Sequence, residues 1–143
     1  AAVADTEQLA ALQRQCREVY VDPSLIQYAV RLVGASREPA RHGLGDISKY
    51  ISFGASPRAS IHLIEAARAL AFLRGRNYAL PEDVSDLVPD VLRHRLVLSY
   101  EALTDELSAD TLIQRIVVKT PAPDKPLAHR SEAGHGQQAA AGA

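Results

Sequence analysis

Residues 56–73 carry the feature that most limits how this chain can fold: a capped helix start followed by side chains that are apolar on almost every side. Ser56 suits the N-cap and Pro57 the first helical position, so a helix is predicted to begin here. Ile61, Leu63, Ile64, Ala66, Ala67, Leu70, Ala71, Phe72 and Leu73 then leave only a thin polar stripe. A helix apolar nearly all round is predicted to be buried among others. Its alanines permit close contact with neighbours, and Gly75 supplies a stop. The stripe holds Arg58, His62 and Glu65, at spacings that share one face. Arg58 is out of place by simple electrostatics, because a helix N-terminus is already the positive end of the dipole. Anions are the usual guests there. An arginine awaiting a phosphate and an ordinary surface arginine fit that spacing equally well.

Composition suits a helical bundle. The chain has 143 residues, enough for one core, and 47% of them are hydrophobic. Aromatics are few and Trp is absent, so the core is built from Leu, Val, Ile and Ala. A net charge of −1 argues against a general nucleic-acid binder. A single cysteine, Cys16, excludes an internal disulfide and suits a reducing cytoplasm. No apolar run is long enough to span a bilayer, and no signal peptide is visible. The chain contains no Met and reads as a fragment cut at a domain boundary.

Helix and strand signals follow in order. Asp5 to Arg17 is helix-friendly, with Leu9, Leu12 and Cys16 on one face. Val19 to Val21 reads as a short strand. Asp22-Pro23 starts a helix to about Arg37, with Leu25, Ile26, Ala29, Val30, Leu32 and Val33 inward. Glu38 to Phe53 breaks the helical period and reads as a long loop, mobile or functional, pinned at its far end by Tyr50, Ile51 and Phe53. Pro81-Glu82-Asp83 opens a helix that Pro89 is predicted to break. Arg95 to Tyr100 reads as a strand that could pair with Val19 to Val21, and Ser108 caps a last helix through Leu112, Ile113, Ile116 and Val117. The expected fold is mainly α: about five helices in a compact bundle, with room for one short two-stranded β pairing. Residues 1–18 read as a lead-in helix, 19–123 as the domain, and 124–143 as a disordered tail rich in Pro, Gly and Ala.

Several separate motifs carry a family resemblance. Gly54-Ala55-Ser56-Pro57-Arg58-Ala59 resembles the segment bearing the sensor 2 arginine in the MoxR family of AAA+ ATPases. The likeness continues through Ala66 to Tyr78, Leu80-Pro81-Glu82-Asp83-Val84 and Val91 to Glu101, and upstream through Val21-Asp22-Pro23 and Tyr28 to Val33. It covers about Val19 to Pro123 and concerns only the C-terminal lid of that ATPase. Ser36 stands where threonine is common in the family, and Asn77 where an acid is common.

The resemblance implies a role for Arg58 at the terminal phosphates of ATP, with Ser56 and Pro57 shaping the helix start. It implies ATP and Mg in the intact protein, an AAA+ core domain of the same chain, neighbouring subunits in a ring, and an unidentified protein client of a chaperone-like assembly. The fragment itself is expected to be non-catalytic and to bind no nucleotide tightly. No Gly-x-x-x-x-Gly-Lys-[Ser/Thr] occurs, and Lys49, Lys119 and Lys125 follow no glycine-rich turn.

Two other function classes stay open: a protein-interaction helical module, which predicts an exposed apolar patch, and a helical DNA-binding domain, which needs a basic recognition helix. The histidines, His42, His62, His94, His129 and His135, show no metal-ligand spacing with each other or with Cys16, so no metal site is expected. His62, one turn after Arg58, could orient it or be a plain surface residue. Arg93-His94-Arg95 fits an interface and a simple helix end equally. Between residues 31 and 76 there are eight Lys and Arg against three acids, and between 81 and 110 eight acids against two arginines. That asymmetry is consistent with a basic half facing nucleotide and an acidic half facing a neighbour.

Overall fold

The computed structural model describes residues 3–124. The tail expected after Asp124 lies outside them. The described residues form six α-helices: α1 (Thr6–Arg17), α2 (Pro23–Arg37), α3 (Arg58–Leu73), α4 (Pro81–Leu92), α5 (Tyr100–Thr104) and α6 (Ala109–Lys119). Two short strands, β1 (Ile51–Phe53) and β2 (Val97–Leu98), pair antiparallel. The class is mainly α with one small two-stranded sheet.

Helix starts follow the sequence. Asp5 and Gln8 close a capping box at α1. Asp22 Oδ1 accepts from the Ser24 N–H at 2.8 Å ahead of Pro23. Ser108 caps α6 through the Thr111 N–H. Ser99 caps α5, a helix that the strand expected through Tyr100 had concealed.

The main core gathers Leu32 and Val33 of α2, Leu63 and Ala67 of α3, Val84, Val88 and Leu92 of α4, and Leu112, Ile113 and Ile116 of α6. A smaller cluster joins Val19, Val21 and Leu25 to Ala71 and Ala79. α3 lies between α2 and α4.

Several expectations fail, each for a local reason. α3 is not buried all round: Ala59, Leu63, Ala67 and Ala71 form one fully buried stripe, while Ile61 and Leu73 are 57% and 81% exposed. Small residues on the stripe bring neighbours close on one side only. On α2, Leu25, Tyr28, Ala29, Leu32 and Val33 take the buried face, and Ile26 and Val30 point outward.

Pro89 does not break α4, because Val84, Val88 and Leu92, all fully buried, hold the helix on both sides of it. The stretch read as a loop is built: 3-10 turns occupy Pro39–His42 and Gly45–Tyr50, and β1 ends it. Tyr50 and Ile51 pack on the core, but Phe53 is 70% exposed. The pairing shifts register between Ile51 and Phe53, an irregularity that re-aims a side chain.

β2 pairs with β1, not with residues 19–21. Tyr20 instead bridges to Tyr78, with the Tyr20 N–H donating to the Asn77 carbonyl at 2.8 Å and the Ala79 N–H to the Tyr20 carbonyl at 2.9 Å.

Candidate functional site

The last turn of α2 builds the turn that launches α3. Ser36 is fully buried. Its hydroxyl donates to the Val33 carbonyl at 2.7 Å and accepts from the Ala55 N–H at 3.1 Å. Gly54 passes so close that a Cβ there would lie 2.5 Å from Arg37 Cα and nearer still to the Ser36 carbonyl oxygen. Only glycine fits this approach. Arg37 completes the hold by donating to the Ala55 carbonyl at 3.2 Å.

Pro57 already has helical dihedrals, φ −52° and ψ −28°. The Ala59 N–H donates to the Ser56 carbonyl at 2.8 Å and the Ser60 N–H to the Pro57 carbonyl at 3.1 Å. Ser56 Oγ takes the Arg58 N–H over a long 3.4 Å. The helix begins at Arg58 with Pro57 at the N-cap position and no side-chain cap bond, one residue later than the predicted Ser56 cap and Pro57 start. Arg58 stands exposed in its first turn, with His62 exposed one turn on.

Arg58 differs from the other cations of the basic stretch. Arg31 donates to the Pro121 carbonyl, Arg37 to that of Ala55 and Arg68 to that of Arg17. Arg41 pairs with Glu38 and Lys49 with Asp105. Arg74 and Arg76 pair with Asp83. Of the eight Lys and Arg between residues 31 and 76, Arg58 alone has a side chain with no hydrogen bond or ion pair among the described residues.

At the other end of α3 the cations are fully engaged. Asp83 is completely buried. Its carboxylate accepts two bonds from Arg76, at 2.8 and 2.6 Å, one from Arg74 at 2.8 Å and one from the Leu80 N–H at 2.7 Å. Burial pushes this carboxyl up, but the bonds from Arg76, Leu80 and Arg74 outweigh it and hold it below the ordinary value. Arg74 reaches on to Asp86 at 2.8 Å. The basic and acidic halves of the sequence thus meet in ion pairs, here and at Lys49–Asp105.

Sequence reasoning treated Asp83 as a first-turn acid and missed this clamp. The available signal was its place as the third residue of a helix opened by Pro81, where an acid reaches back to the cap N–H. Ser36 was missed as well, although a hydroxyl at the end of an apolar helix is suited to holding a following turn.

Arg93-His94-Arg95 is split by the structure. Arg93 is tied to Asp110 at 2.7 Å and to Asp90 at 3.3 Å. His94 is exposed. Arg95 Nε is buried and meets no acceptor among the described residues.

Residues 45–116 match the AAA lid domain family. The chain is 47% identical over 115 residues to Chaperone MoxR1 of Mycobacterium tuberculosis, covering 80% of this chain and 30% of that protein. The chain belongs to the AAA lid domain family, in its MoxR branch. Protein MoxR of Paracoccus denitrificans is 38% identical over 110 residues, covering 73% of this chain and 32% of that one. A crystal structure from Cytophaga hutchinsonii, assigned as an ATPase, superposes with a TM-score of 0.75 at 39% identity, covering 78% of this lid and 34% of that chain. The lid spans about a third of the length of these relatives. Among the described residues, no helix is long and apolar enough to cross a membrane.

Proposed function

We propose that this lid supplies Arg58 to the terminal phosphates of ATP held by a Walker-type core elsewhere in the full-length protein. The observation that carries the reading is the unpaired guanidinium of Arg58, fixed at the start of α3 by a turn that α2 holds on three sides. A guanidinium fork suits phosphoryl oxygens in reach and geometry. The core would supply the phosphate cradle and hold Mg, because this sequence has no such cradle.

Loss of the γ-phosphate would remove the partner of Arg58 and release the lid. That motion would pass to neighbouring subunits of a ring in a cytoplasmic, chaperone-like assembly acting on an unidentified client. Within the Arg93-His94-Arg95 stretch, His94 is the exposed residue open to a neighbour, since Arg93 already has two carboxylates and Arg95 Nε is buried.

One observation favours a second, compatible role in protein interaction. Phe53 and Val97, cross-strand partners, are 70% and 52% exposed, and Tyr100 and Leu103, which follow β2 in sequence, are 81% and 66% exposed.

The nucleotide reading is tested by competition binding in the full-length protein. Arg58→Ala is expected to remove most of the preference for a non-hydrolysable ATP analogue over ADP. An unchanged ratio would contradict it.

A further inference from the structure

The start of the chain attaches to the lid in an unusual way. α1 has no buried residue, and Leu9 and Leu12 on it are 53% and 44% exposed. It packs on α3. Immediately after it the chain is firmly held: Val19 and Val21 are buried in the smaller core cluster, and Tyr20 is bonded on both sides to the α3–α4 connection. α1 is therefore a lever leaving a fixed base at Glu18.

One long-range side-chain bond crosses this joint. Arg68, in the middle of α3, donates from Nη1 to the Arg17 carbonyl at 2.9 Å across 51 residues of sequence. That carbonyl belongs to the last turn of α1, where the helix leaves acceptors unsatisfied and its dipole favours a cation. Arg68 Nε is buried without an acceptor, so the guanidinium is drawn into the joint for this one contact. Arg68 also lies ten positions after Arg58 on the same helix, close to the stripe of His62 and Glu65.

We infer that Arg68 is a positioning residue that latches α1 onto α3, so that α1 and the helix carrying Arg58 move as one body. The role in coupling rests on the reading of Arg58 given above; the latch itself does not. A load on Arg58 at one end of α3 then changes the direction in which α1 leaves the lid. With the latch open, α3 can follow the nucleotide while α1 turns about Glu18.

Cys16, half-buried on the last turn of α1 and the single cysteine of the chain, is a built-in reporter of the joint. In the 143-residue chain, Arg68→Ala is expected to raise the rate of Cys16 modification by Ellman's reagent about tenfold, with amide protection of α3 and α4 unchanged. Arg68→Lys, which keeps the charge and one donor, is expected to restore most of the wild-type rate. An unchanged Cys16 rate in Arg68→Ala would overturn the latch. So would a rise accompanied by equal loss of protection in α3 and α4, or a lysine variant no better than alanine.

In the full-length ATPase, Arg68→Ala is expected to lower kcat severalfold and leave KM for ATP unchanged. A faster Cys16 rate with unchanged kcat would overturn the coupling. Failure of the Arg58 reading shows separately, as normal nucleotide preference in Arg58→Ala, and leaves the Cys16 result intact.

Discussion

The two ends of α3 carry the same kind of residue in opposite circumstances. At the C-terminal end, Arg74 and Arg76 converge on a buried carboxylate, where the helix dipole also favours cations. At the N-terminal end, Arg58 opposes the dipole and its side chain meets no acceptor among the described residues. The first arrangement is complete within the domain and reads as structure. The second is incomplete, although the backbone beneath it is tightly specified by Ser36, Arg37 and Gly54. A rigid mount for an unsatisfied charge is what a ligand-reaching residue requires.

Substitutions at the two ends should therefore separate stability from activity. The largest loss of stability is expected at the completed end. Asp83→Asn takes from Arg76 its carboxylate and leaves Arg74 with Asp86 alone, and it should lower the unfolding free energy by about 3 kcal/mol, moderated because both arginines are partly in water. Denaturant titration measures this. The depressed carboxyl stabilises the fold above about pH 4, and that contribution is lost as pH falls through its lowered value. The gap between wild type and Asp83→Asn should thus be constant near neutrality and close in acid. A gap that did not narrow at all as the pH was lowered toward the acid limit of folding would mean that the clamp is not what the aspartate provides.

Next in size come changes to the mount. Gly54→Ala forces a Cβ against the α2 backbone, which cannot move aside like a flexible side chain. A loss of about 2 kcal/mol is expected by thermal melting, with impaired ATP turnover in the full-length protein. Ser36→Ala leaves the Ala55 N–H without its acceptor and should cost about 1–2 kcal/mol. If either variant melted like wild type, the turn would be less constrained than its contacts imply.

Much of this was legible in sequence because it depends on neighbouring residues. Asp22-Pro23 and Ser108 mark helix starts that the structure contains, and Ser56-Pro57 falls one residue ahead of the start at Arg58. The apolar face of α6 was read correctly from Leu112, Ile113 and Ile116. What sequence could not supply was long-range. The partner of β2, the outward turn of Ile26, Ile61 and Phe53, and the convergence of Arg74 and Arg76 on Asp83 depend on which elements meet. Periodicity shows that a helix has apolar residues, not which of them find neighbours. The place of Arg58 was visible from its motif, but its lack of a partner appears only when the acceptors of the other cations are known.

The smallest effect on stability belongs to Arg58, and it carries the central claim. Arg58→Ala should shift the unfolding free energy by no more than about 0.5 kcal/mol, because the side chain is exposed and bonded to nothing among the described residues. In the full-length ATPase the same variant should lower kcat by about a hundredfold, the scale for losing a donor aimed at developing charge. The decisive measurement is steady-state phosphate release by full-length Arg58→Ala, with melting recorded on the same preparation. The account predicts normal melting and strongly reduced turnover. Normal turnover would contradict it, and Arg58 would then be a surface arginine on a well-capped helix.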